Sequence, residues 1–127
     1  MKFSHVMLSS KEKARLEQAK KVASTSSVRE KHGAVAVRGG RVVGVGVNSY
    51  QNDHSLFDIL PFNRTTHAEQ ACLRAIGENA RGAVMYVARV NRDGEEKMSK
   101  PCSMCQKALR EAGVRKVVYT IESELVL

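Results

Sequence analysis

Gly33-Ala34-Val35-Ala36-Val37-Arg38-Gly39-Gly40-Arg41-Val42-Val43-Gly44-Val45-Gly46-Val47-Asn48 is the stretch on which the fold turns. Two valine-rich runs flank a Gly-Gly pair, the pattern of a β-hairpin. The apolar character is nearly continuous, which predicts strands covered on both faces. Upstream, Ser9-Ser10-Lys11-Glu12 has the form of a helix capping box. Leu16, Ala19, Val22 and Ala23 then recur at helical spacing, so a first helix is expected to end near residues 24–27. Downstream, residues 49–66 are polar and irregular and read as a long loop, the kind that usually carries function. A second helix is expected over 67–79, a strand over 83–88, a charged connection over 91–100 and a third helix from Cys102 to Gly113. A strand at 116–121 and a short last one at 125–127 complete the reading. Strands alternating with helices after a hairpin give an α/β layered sheet, and 127 residues fit one domain, 1–127.

The composition, 43% hydrophobic and 27% charged, is that of a chain able to bury a core. With no Trp and few aromatics, that core is built from Val, Ala, Leu and Ile. The formal charge of +8 is unevenly placed. Residues 1–41 hold ten Lys/Arg against three Glu, a net +7 in the first third. Such asymmetry suits an anionic partner, either a phosphorylated small molecule or a nucleic-acid backbone; a solvated basic helix face is the plainer reading. No apolar run is long enough to span a membrane and no signal-peptide stretch follows Met1, so a cytoplasmic protein is expected. Three cysteines, an odd number, argue against a closed disulfide framework.

Two segments carry chemistry. Thr66-His67-Ala68-Glu69 opens the second expected helix and Pro101-Cys102-Ser103-Met104-Cys105 opens the third. Together they match the H-x-E…P-C-x-x-C pattern of zinc deaminases. Zinc accepts imidazole and thiolate ligands in a tetrahedron, and a catalytic site keeps the fourth position open. Cys102 and Cys105, three apart at a helix start, can aim both sulfurs at one point, and the helix N-terminus favours thiolate. Pro101 suits that start because its missing N–H costs nothing there. His67 supplies a third ligand. Glu69, two residues on, diverges from His67 on the helix and is placed to move protons over the open position. Plainer readings exist for each segment alone: Thr66-x-x-Glu69 is also a capping box, and Cys-x-x-Cys also marks redox pairs or half of a structural zinc site. Cys72 reads as core filler; His32 and His54 as pocket-lining or structural; Phe57 and Phe62 as loop anchors or base-stacking groups.

Residues 28–120 resemble the cytidine/deoxycytidylate deaminase superfamily. Beyond the zinc motifs, the likeness rests on Lys31-His32-Gly33-Ala34-Val35, on residues 43–48, and on the run 106–119 after the cysteines. That last run is nearest the deoxycytidylate and tRNA adenosine deaminase branch. The resemblance implies a three-layer α-β-α fold. Its mixed sheet would have four to five strands, an antiparallel opening hairpin and parallel late strands. It also implies that Asn48 contacts sugar or phosphate, that the Ala68 N–H meets the base edge, and that the chain forms a homo-oligomer. Two departures stand out: only seven residues follow Thr120, where the family usually adds a helix, and residues 49–66 carry no recognisable effector or second-metal element.

The leading expectation is a Zn2+-dependent hydrolase that converts a cytosine nucleotide (dCMP or CMP-like) to the uracil form with release of ammonia. The basic first third and Arg64 would then help hold phosphate. The alternative is a deaminase acting on cytosine or adenine within tRNA or single-stranded nucleic acid, which needs a basic groove for flanking phosphates. A third reading, a zinc-stabilised binding module without catalysis, leaves Glu69 without a purpose.

Overall fold

A computed structural model describes residues 2–5, 7–50 and 65–127. The hairpin forms as expected: β2 (Lys31–Arg38) and β3 (Arg41–Val47) pair antiparallel about Gly39 and Gly40. Both glycines have positive φ, 60° and 77°, the backbone that a tight two-residue turn demands and that side chains resist. β6 (Val84–Val90) pairs antiparallel with β2 and parallel with β8 (Lys116–Tyr119). β9 (Ser123–Val126) turns back along β8, and β1 (Lys2–His5) lies along β9. The order across the sheet is β1-β9-β8-β6-β2-β3, with the short β7 (Glu96–Lys97) beside the end of β6.

The sheet is wider than the sequence suggests. β1 and β7 go unread because neither carries an apolar run, and β1 finds its partner at the far end of the chain. The late pair β6 and β8 is parallel, while β9 returns antiparallel. The two ends of the 49–66 segment meet as a small ribbon, β4 (Ser49–Tyr50) against β5 (Thr65–Thr66).

Helices cover both faces, which explains the continuous apolar text of the strands. α1 (Ser10–Ser24) packs Leu16 and Ala19 on Val35, Val84, Tyr86, Ala88 and Val118. On the other face α2 (Ala68–Ile76) and α3 (Ser103–Ala112) bury Cys72, Ile76 and Leu109 among Ala34, Ala36, Met85, Val87, Val117 and Tyr119. Neighbouring residues of β2 thus serve opposite cores, Val35 one and Ala34 and Ala36 the other. Full burial of one such leucine stabilises by roughly 1.5–3 kcal/mol.

Two glycines set how closely the helices approach. A Cβ on Gly33 would lie 2.3 Å from the Ala23 nitrogen of α1. One on Gly46 would lie 2.4 Å from the Cys72 nitrogen and 2.5 Å from the Ala68 oxygen of α2. Hydrogen in place of a methyl group lets each helix rest its backbone directly on a strand. Gly46 therefore seats the helix that begins at His67.

Candidate active site

His67 is the N-cap of α2 and Cys102 the N-cap of α3, so the two segments singled out in the sequence converge as helix starts. His67 Nδ1 lies 3.2 Å from Cys105 Sγ and 3.8 Å from Cys102 Sγ. The three donor atoms lie within 4.8 Å of one another. A tetrahedral zinc with ordinary Zn–S and Zn–N bonds separates nitrogen from sulfur by about 3.6 Å, and the two observed separations bracket that figure. One imidazole and two sulfurs, no second cysteine pair to close the shell, and an adjoining cavity together fit a catalytic zinc with an open position.

The surroundings hold this geometry. Cys102 Sγ accepts the Cys105 N–H at 3.4 Å, and Gln106 Nε2 donates to the Pro101 carbonyl at 2.8 Å, closing the first turn of α3 on itself. Just upstream, Ser99 is sewn to the sheet: its Oγ donates to the Val87 carbonyl (2.9 Å) and accepts the Thr120 N–H (2.9 Å). Ser99 and Thr120 are both buried, so the approach to Pro101-Cys102 is anchored to the middle of β6 and to the residue after β8. Burial, with the nearby Glu69 charge, pushes the free Cys105 thiol up. Ligation to zinc reverses that balance by taking the thiolate form.

Glu69 sits in the first turn of α2, only 4% exposed, and lines the cavity beside His67 and Cys102. The capping-box reading of Thr66-x-x-Glu69 does not hold: the N-cap is His67, which makes no side-chain cap bond. Burial raises the Glu69 carboxyl, against the opposing pull of its own backbone N–H and of His67. A carboxyl raised in this way holds or releases a proton closer to neutrality than an exposed one.

The cavity measures about 400 Å³, within the range of small-molecule sites. Its far wall is the 26–32 segment, and Asn48 holds that wall in place. Asn48 Oδ1 accepts from Ser26 Oγ (2.7 Å) and from the His32 N–H (2.9 Å), while Nδ2 donates to the Glu30 carbonyl (2.7 Å). Asn48 lines the cavity, but three of its four amide positions are spent on the protein, leaving one Nδ2 hydrogen for a ligand. Ala68, buried, is the first residue of α2, and its N–H belongs to the set a helix leaves without an internal partner. Arg64, His54, Phe57 and Phe62 lie outside the described residues. His32 lines the cavity as a neutral imidazole, pushed down to about 4 by burial and by the Arg89 charge.

Arg29, Glu30 and Lys100 also line the cavity, and sequence reasoning did not single them out. Lys100 directly precedes the Pro-Cys pair, which was a usable signal; Arg29 was counted in the basic third without a position. Of the ten basic residues at 1–41, Arg29 alone lines this cavity among the described residues. Cys72 lies in the core, its thiol raised to about 12 by burial, as filler should.

The family model for the cytidine and deoxycytidylate deaminase zinc-binding region matches residues 9–121. The chain belongs to that family. Its cofactor is Zn2+, and the donor set described above suits that ion. Among solved structures, the dCMP deaminase of cyanophage S-TIM5 in complex with dCMP and dUMP aligns with TM-score 0.62 and 25% identity, over 90% of this chain and 83% of that one. The cytidine deaminase of Mycobacterium tuberculosis aligns with TM-score 0.59 and 24% identity, over 87% and 86%. Acinetobacter baumannii RibD aligns with TM-score 0.59 and 25% identity, over 86% of this chain but 27% of that one. A search of curated proteins finds no match. The family and the site make this member a hydrolytic deaminase. Among the described residues no helix is long and apolar enough to cross a membrane.

Proposed function

We propose that the chain is a single-domain, cytoplasmic deaminase of a free cytosine nucleotide, dCMP or CMP-like, acting as a homo-oligomer. The observation that carries this reading is the buried Glu69 carboxyl beside the His67, Cys102 and Cys105 donors, at a cavity whose wall also holds Arg29 and Lys100. His67, Cys102 and Cys105 would hold the zinc. When bound, zinc supplies the Lewis acidity that makes a water molecule nucleophilic near neutral pH.

The remaining chemistry falls to the chain itself. Glu69 takes the proton that water gives up as its oxygen bonds to C4 of the cytosine ring. The same carboxyl returns that proton to the ring nitrogen and then carries the proton of the new C4 hydroxyl to the exocyclic amine, so the C4–N bond breaks, C4 becomes a carbonyl and ammonia leaves. The Ala68 N–H and the spare Nδ2 hydrogen of Asn48 orient base and sugar. Arg29 and Lys100 offer charge for a phosphate, the role that Arg64 was expected to share.

The cyanophage relative is described with dCMP and dUMP bound, which supports the same substrate class here. Support also comes from the charge: most of the basic first third lies on α1 and the hairpin rather than around this cavity, so it builds no track for a polymer into it. The test is ammonia release across deoxycytidine, dCMP, CMP, their triphosphates, a tRNA and a single-stranded oligonucleotide. Turnover of monophosphates well above nucleosides is expected; turnover of the polymers alone would overturn the reading.

A further inference from the structure

The basic first third has a destination of its own. Lys11 and Arg15 stand four apart on α1, and Arg115 directly precedes β8; all three line a cavity of about 190 Å³. Its other walls are Gly39 and Gly40 of the hairpin turn, Gly82, and Tyr86. No carboxylate lines it. Glu12, next to Lys11 on the same helix, is already engaged by Lys116, which also meets Glu124. Lys11, Arg15 and Arg115 take part in no ion pair among the described residues. Arg15 spends donors on Gln18 Oε1 and the Gly40 carbonyl, both at 3.0 Å, and these fix its guanidinium at the cavity.

Like charges at i and i+4 of a helix repel, and a third cation beside them adds to the cost. Such an arrangement is relieved by an anion. The glycines suit one: a Cβ built at Gly39, Gly40 or Gly82 would meet nothing within 4 Å, so no side chain crowds the cavity there, although the Gly82 N–H is already donated to the Gly113 carbonyl at 2.8 Å. The volume is too small for a whole nucleotide but ample for a phosphate or diphosphate group. The site lies on the α1 face, at the opposite end of β2 from His32; the seven residue steps from His32 to Gly39 span about 23 Å. A single nucleotide at the His67–Glu69 cavity does not reach it.

We propose that Lys11, Arg15 and Arg115, with the Gly39-Gly40 turn and Gly82, form a second site that binds the phosphate group of a nucleotide or polynucleotide, separate from the active site. Three cations at one small cavity bind oxyanions by charge-assisted hydrogen bonds, most strongly at low ionic strength.

The test is titration of isotope-labelled, zinc-loaded protein with inorganic phosphate at low salt, followed by the backbone amide signals. Saturable shifts of the Gly39, Gly40 and Gly82 amides are expected. The double variant Lys11→Gln, Arg115→Gln, both exposed positions, should weaken that binding about tenfold or more. Lys107→Gln, an exposed lysine on α3, should leave it unchanged. A second titration with oligothymidylate, which lacks an exocyclic amine and so is no substrate, separates the sources. Tighter binding at the same glycines assigns the site to a polynucleotide backbone; binding no tighter than phosphate assigns it to free phosphates. Absence of saturable shifts at those glycines, shifts confined to residues 67–69 and 102–105, or equal weakening by Lys107→Gln would each overturn the proposal.

Discussion

Two helix starts in this molecule carry the same short pattern, a hydroxyl residue followed three positions later by glutamate, and put it to opposite uses. At α1 the box closes: Ser9 Oγ accepts the Glu12 N–H at 3.2 Å, and the Ser9 N–H donates to Glu12 Oε1 at 3.2 Å. At α2 the cap slips one residue to His67, whose side chain makes no cap bond, and Glu69 lies buried at a cavity with its carboxyl on its own backbone N–H and not on the N-cap. The first glutamate closes its box with the cap residue and the second leaves its box open. A helix start left uncapped forgoes about 1 kcal/mol, and a carboxyl held in a buried site adds a desolvation cost. The difference marks where stability has been given up for chemistry.

The comparison can be broken most severely at the ligand end. His67→Ala should remove zinc, measured by metal analysis as a fall from one ion per chain to near none, and abolish ammonia release; an Ala at Ser9 should leave both intact. Next in size, Glu69→Gln should lower kcat by about 10²–10⁴ while zinc content and melting temperature hold. Glu12→Gln, the matched change, should cost stability and leave kcat unchanged. If both glutamines proved equally harmless to turnover, the contrast between the two starts would fail.

Gly46→Ala asks whether the seat of α2 matters as the helix start does. Its methyl group would strike backbone at Cys72 and Ala68, so a loss of roughly 1–3 kcal/mol is expected in denaturant unfolding, with turnover reduced as His67 and Glu69 shift. Ser9→Ala should cost about 1 kcal/mol, read in melting temperature alone. The smallest effect concerns acid. His32 is held neutral, with its pKa at about 4 in the fold against about 6.5 when unfolded. Between those values the unfolded chain takes up a proton that the fold refuses, so stability falls as pH drops from 6.5 towards 4. His32→Gln should flatten that part of the stability profile relative to the parent protein.

What was legible in the sequence was local. The hairpin could be read because Val-rich runs and a Gly-Gly turn are short-range signals, and the cysteine pair that meets His67 because Cys-x-x-Cys spacing is a helix-start geometry. β1 could not be read: Lys2–His5 is a strand only because β9 lies beside it, and a pairing between chain ends leaves no mark in either segment alone. The capping-box reading of Thr66-x-x-Glu69 could be decided only by burial, which is a property of the packed fold. Asn48 shows a third case. The resemblance implied a contact with sugar or phosphate, but not that its amide would brace the 26–32 wall, because those three hydrogen bonds join residues 16 to 22 positions apart.

One contact makes metal and backbone answer to each other. Cys102 Sγ, a ligand candidate, is also the acceptor that caps α3 through the Cys105 N–H. Zinc would take this sulfur as thiolate, a better acceptor than a thiol, so ligation would tighten that hydrogen bond. The Cys105 amide proton is thus a built-in gauge of occupancy: its exchange with deuterated solvent registers, at one backbone position, whether the metal is home.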